Sequence, residues 1–164
     1  MGAAVITGVA GLRKELMAAV KEVERQGAAE VERAAWVVLE GLLSWTPVWE
    51  GQVLRSYTVS IDSPVTANRQ PLGTGDPGPT NSMALGDEPR RGPNEAAVRS
   101  EAAGALRALS RGLRTVWVTN GSDLWDLVDS GGAPGGPGQQ IRNPGGTSKL
   151  ALQRARGILG DTFR

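Results

Sequence analysis

The stretch that decides the fold is "TPVWEGQVLRSYTVSID", residues 46–62. Proline pushes the residue before it out of helical geometry, so Pro47 ends any helix arriving from upstream. After Gly51 the pattern changes: Val53, Ser56 and Thr58 alternate roughly with Leu54, Tyr57 and Val59. The β-branched and aromatic content of residues 51–62 predicts a strand, closed by Asp62 and Pro64. A helix that hands over to a strand within five residues implies a mixed fold.

Working outward toward the N-terminus, Leu12, Leu16, Val20, Val23, Val31, Ala35, Val38, Leu42 and Trp45 recur at helical period. They predict a helix over residues 11–44, roughly 50 Å long at 1.5 Å per residue. Glu22, Glu24, Arg25, Glu30, Glu32 and Arg33 fill its polar face, and Gly27 marks a point where a bend is cheap. A helix longer than a domain of this size needs is expected to cross a small sheet and continue onto a neighbour.

Toward the C-terminus, residues 63–93 carry many prolines and little periodicity. Connections of this length are uncommon, so the segment is either a loose insertion or an arm ordered by a partner. Asn94 suits the N-cap of a helix with Val98, Ala102, Leu106 and Leu109 on one side and Gly112 at its end. "RTVWVTN" predicts a strand over residues 114–119, with Asn120 and Gly121 turning the chain. "SDLWDLVDSG" suits one or two helical turns, capped by Ser122 and stopped by Gly131. The tract at residues 131–146 holds too much glycine and proline for regular structure, and ordering it costs about 1–2 kcal/mol per residue in backbone entropy. A last helix follows, with Thr147 or Ser148 as cap and Leu150, Leu152, Ala155 and Ile158 apolar.

The 164 residues suit one domain with long appendages, spanning residues 1–164. With 18 basic against 17 acidic groups the net charge is +1, too small a field for nonspecific binding to nucleic acid or anionic membranes. Residues 1–50 hold 5 basic and 7 acidic groups and residues 111–164 hold 7 and 4. That asymmetry describes either two solvated surfaces or head-to-tail complementarity between copies. Absence of cysteine and histidine excludes disulfides and the Ser-His-Asp, Cys-His and zinc chemistries. The opening residues lack a basic leader and a membrane-length apolar run, so a soluble product made in the cytoplasm is expected.

Few signals suggest chemistry. "GGTSK" has the wrong order for a phosphate-binding loop. Asp123, Asp126 and Asp129, three apart, could line one side of a helix as calcium ligands or a carboxylate pair, or simply be solvated near a helix start. Trp36 and Trp45 lie nine apart, on opposite sides of a helix, so both cannot face one core. No catalytic residue, cofactor or metal is expected.

Two stretches together resemble the neck, or tail-completion, proteins of lambda-type long-tailed bacteriophages. Thr46, Pro47, Val48, Gly51, Leu54 and Ser56 are similar to that family's T-P-V-D-T-G-x-L-x-x-S-W segment, with Tyr57 in the aromatic place and Trp49-Glu50 departing from D-T. Val118, Thr119, Asn120, Val128, Asp129, Gly131, Ala133, Pro134 and Gly136 resemble a second family segment, I-T-N-N-x-P-Y-A-x-x-L-E-Y-G-x-S-x-Q-A-P-x-G-M, with Leu124 where tyrosine is expected, Trp125 beside it and Asp123 in place of proline. The motif positions expected to carry fold and assembly are Thr46, Pro47, Gly51, Leu54, Tyr57, Asn120, Trp125, Asp129, Gly131 and Pro134.

The resemblance implies an α+β fold: a long N-terminal helix on a small β-sheet, a second helix, extended loops and a C-terminal helix. It implies a non-enzymatic virion protein at the head-tail junction, present in the host cytoplasm during assembly. Such a protein forms a homo-oligomeric ring, of six or twelve copies, between portal or adaptor proteins and the tail terminator or tail tube. DNA passes through the ring without specific binding, and no membrane is involved. A tail terminator or head-tail adaptor of the same virion is the alternative. The segment around Trp125 is expected to anchor the strand before it, and the Gly/Pro tract to drape over an adjoining subunit.

Overall fold

In the computed structural model, which describes residues 3–46, 51–73, 90–129 and 147–159, the chain is α+β. The elements run α1 (Ala3–Trp45), α2 (Gln52–Arg55), β1 (Tyr57–Ile61), α3 (Arg91–Leu106), a 3-10 turn (Arg107–Arg111), β2 (Val116–Asn120), α4 (Trp125–Asp129) and α5 (Thr147–Leu159). Pro47, Trp49, Gly131, Pro134 and the Gly/Pro tract of residues 131–146 lie outside the described residues.

The 43-residue helix α1 runs unbroken through Gly27 and is about 65 Å long at 1.5 Å per residue. Among its described side chains, those that enter the core begin at Ala28. Leu39 and Leu43 are fully buried, and Ala28, Ala35 and Leu42 nearly so; burying each leucine contributes about 1.5–3 kcal/mol. Leu12, Leu16, Val20 and Val23 stand exposed, so the apolar stripe that reads as continuous in sequence is covered over half its length.

Helix α5 lies along the buried half of α1. A Cβ placed on Gly41 would come within 3.1 Å of Ala151, so the absence of side chain there lets the two backbones approach closely. This inverts part of the predicted face of α5. The buried positions are Thr147, Ala151 and Ala155, whereas Leu152 and Ile158 are 48% exposed. Small residues fit the tight contact and the larger ones turn away from it.

β1 and β2 form a two-stranded antiparallel ladder, with Tyr57 opposite Asn120, Val59 opposite Val118 and Ile61 opposite Val116. Helix α3 packs on β1 and buries Val98, Ala102 and Leu106, the 3-10 turn after it buries Leu109, all four as the spacing predicts, and Gly112 ends that turn at φ 133°. The predicted strand at residues 51–62 is a strand only from Tyr57. Residues 52–55 form a helical turn instead, entered by Gly51 at φ 85°, with Val53 and Leu54 both buried.

Asn94 is not the N-cap of α3; that position is Arg90. The fully buried Asn94 amide instead accepts from Leu72 N at 2.8 Å and donates to Leu72 O at 2.9 Å and Arg90 O at 2.6 Å. Asn94 thus mimics a strand partner for residue 72, and residues 63–73 are tied down rather than loose. Arg69 N donates to Ser56 Oγ at 3.0 Å, Thr119 Oγ1 to Val65 O, and Asn68 Nδ2 to Asp123 at 2.9 Å. This strap runs so close to the hairpin that a Cβ on Gly121 would sit 2.4 Å from the Ala67 backbone, which restricts position 121 to glycine.

Candidate functional site

The two motif segments are more than sixty residues apart in sequence and meet at one end of the β-ladder. The register places Tyr57 directly opposite Asn120. Thr46, at the end of α1, holds its hydroxyl 2.7 Å from the Tyr57 phenol and donates at 2.7 Å to Leu42 O. Thr46 and Tyr57 are both almost completely buried, so this polar pair is stable only because each hydroxyl has a partner.

On the other side of the phenol ring stands Trp125, edge to face, with centroids 5.6 Å apart and planes at 77°. This geometry sets a positive ring edge against a negative ring face. Trp125 is presented there by an Asx turn: Ser122 N donates to Asn120 Oδ1 at 2.9 Å, and Leu124 N to Ser122 Oγ at 3.2 Å, which starts α4. The Asn120 amide also donates to Val53 O at 2.9 Å, fastening the turn to α2. The segment around Trp125 therefore ties the end of β2 to Tyr57 and to α2.

Asp129 ends α4 and begins α5. Its Oδ1 accepts from Ser148 N at 2.7 Å and also from the Ser148 hydroxyl. The capping carboxylate for α5 is thus supplied by a residue nineteen positions earlier, and it favours the positive end of that helix. Burial pushes the Tyr57 phenol well above its usual pKa, and the negative charge of Asp129 adds to the shift, against the Thr46 hydrogen bond that lowers it. Leu54 lies fully buried beneath the same cluster, and Gly51 approaches Asn94 so closely that a Cβ would meet Asn94 Nδ2 at 2.7 Å.

Thr46, Asn120 and Trp125 thus meet around the Tyr57 ring, with Asn120 tied to α2, while Asp129 caps α5 and Leu54 and Gly51 pack in the adjoining core and against Asn94. The three aspartates do not converge: Asp123 binds Asn68, Asp129 caps α5, and Asp126 sits in the first turn of α4. Among the described residues no group of three His, Cys, Asp or Glu side chains is placed to hold a metal ion. No helix among them is long and apolar enough to cross a membrane.

A further residue at this junction is not signalled in the sequence. The buried Arg91 guanidinium donates to Leu43 O at 2.9 Å and Thr46 O at 2.8 Å, and pairs with Glu95 at 2.9 Å. It satisfies carbonyls that the end of α1 leaves without an intrahelical partner. Glu101 performs a similar junction nearer the surface, engaging Arg55 at 2.5 Å and also Arg69, so that α3 holds both α2 and the strap. The described surface also has an open groove of about 740 Å³ between α1 and the 3-10 turn, bordered by Lys21, Ala28, Leu106 and Arg107; no motif residue lines it. Comparison with family models, curated proteins and solved structures gives no match to this chain.

Proposed function

We propose that this chain is a non-enzymatic structural protein of a bacteriophage neck, a ring subunit that joins the head connector to the tail. What carries the reading is the convergence of the two family-like segments. Thr46 and Tyr57 from the first meet Asn120 and Trp125 from the second around one buried phenol ring, and Asp129 caps the last helix beside them. Motif residues spent on packing, capping and a buried hydroxyl pair serve architecture, whereas catalysis needs groups aimed at an open site. The exposed apolar face of α1 agrees with a life spent among neighbouring subunits. In the virion the partners are portal-side or adaptor proteins above and tail proteins below.

Negative-stain imaging of the purified full chain, alone and mixed with separated heads and tails of the encoding virus, tests this. Rings that cap tails or seat on filled heads are expected. A chain that remains a monomer by light scattering at every concentration and binds neither particle overturns the reading.

A further inference from the structure

The turn that ends β2 holds the only Asn-Gly pair in the chain, Asn120–Gly121. In such a pair the following backbone nitrogen carries no side chain to hinder its approach to the asparagine Cγ, and glycine leaves the backbone free to bring it there. The fold nevertheless requires both residues. A Cβ on Gly121 would lie 2.4 Å from Ala67 N, and the Asn120 carboxamide donates to Val53 O and accepts from Ser122 N, each at 2.9 Å. A chemically labile dipeptide is thus built into the joint between α2, β2 and α4.

The geometry that needs this pair also keeps it from reacting. Closing a five-membered ring requires the Gly121 nitrogen to swing onto the Cβ side of Asn120, whereas a strand residue has ψ of about +135°, which turns that nitrogen away. Asn120 is the last residue of β2, fixed opposite Tyr57 in the ladder, and Gly121 N donates to Ser56 O at 3.3 Å. Rotating the carboxamide toward Gly121 breaks its bonds to both Val53 and Ser122. We infer that Asn120 is a latent site of spontaneous deamidation, closed by the fold and opened when the joint around Tyr57 lets go.

In the opened joint Gly121 N bonds to Asn120 Cγ, the Cγ–Nδ2 bond breaks, and Nδ2 leaves as ammonia with the proton of the Gly121 amide. Water then opens the succinimide at either carbonyl, giving aspartate or isoaspartate. Both products put a carboxylate oxygen where the Nδ2 donor was, so Val53 O loses its partner and faces a negative charge. Isoaspartate also adds a methylene to the main chain at the end of β2. A chain left open is therefore marked irreversibly at its own joint, whatever its role in a neck.

To test this, the full chain, folded or in urea, is incubated in mildly alkaline buffer beside a synthetic peptide of residues 116–125, and Asn120 is followed by mass and by enzymatic isoaspartate labelling. Trypsin isolates the site, because the fragment 115–142 contains no other asparagine. The folded chain is expected to react at least about tenfold more slowly than the peptide, which corresponds to an opening free energy of about 1.4 kcal/mol. In urea the chain and the peptide should react alike. Trp125→Ala, which removes the ring packed on Tyr57, should speed the reaction under native conditions. Tyr57→Phe, which removes only the hydroxyl, should do so less while keeping the far-UV spectrum of the parent, and it decides the matter if Trp125→Ala does not fold. A folded parent that reacts as fast as the peptide, a chain in urea whose Asn120 stays intact, or folded variants that react no faster than the parent each overturns the inference.

Discussion

The two halves of α1 are built from similar residues and meet opposite fates. Leu12, Leu16 and Val23 are exposed; Leu39, Leu42 and Leu43 are buried, within one continuous helix. Both halves are amphipathic, so periodicity alone does not separate them. What separates them is the residue type available around each half: Gly41 receives α5 at backbone distance, whereas nothing among the described residues covers Leu16. An apolar stripe states that a surface is to be covered, and the rest of the fold decides whether the cover comes from the same chain.

The sharpest test of that contrast is to truncate one leucine in each half. Leu43→Ala should lower stability in urea unfolding by about 2–5 kcal/mol, since it empties a filled core site. Leu16→Ala, measured in dilute solution, should stay within about 0.5 kcal/mol of the parent. Equal losses at both sites would erase the distinction.

Next in size is the joint that closes the buried half. Gly51→Ala forces a side chain into a left-handed conformation and against Asn94, and should cost about 1–3 kcal/mol. Chemical shifts of residues 11–23 should not move, because the joint touches only the body; a change there would show that the two halves are coupled.

A smaller loss at neutral pH than at Leu43 or Gly51 comes from Tyr57→Phe, about 1 kcal/mol for one buried hydrogen bond. Its pH signature is larger. The folded phenol has a pKa above the unfolded value of about 10, so its contribution is complete below that pH and is lost as pH climbs beyond it. Tyr57 is the only tyrosine, so tyrosinate absorbance should rise together with alkaline unfolding, and the Phe variant should resist that unfolding better. Tyrosinate formation near pH 10 in a still folded chain would contradict the burial.

Much of the frame is legible in the sequence: α1 from its period, α3 from Val98, Ala102, Leu106 and Leu109, the stop at Gly112, and the turn at Asn120. These depend on side-chain spacing and on backbone preferences that the sequence carries directly. The missing parts depend on backbone atoms, which every residue shares. Arg91 binds the carbonyls of Leu43 and Thr46, and Asn94 binds the amide and carbonyl of Leu72; no residue type at those positions announces an acceptor. The helical turn at residues 52–55 escapes for a related reason, since a left-handed Gly51 resets the chain's direction and leaves Val53 and Leu54 looking like strand. In the site, Tyr57, Asn120 and Trp125 are legible as motif positions, while their hydroxyl, amide and ring partners emerge only once the ladder sets the register.

Leu72 and Arg90 are both fastened to the one carboxamide of Asn94, and a Cβ on Gly73 would lie 3.6 Å from Pro93. One buried side chain thus holds together two chain positions eighteen residues apart, so Asn94→Ala would release the end of the strap and the start of α3 at once.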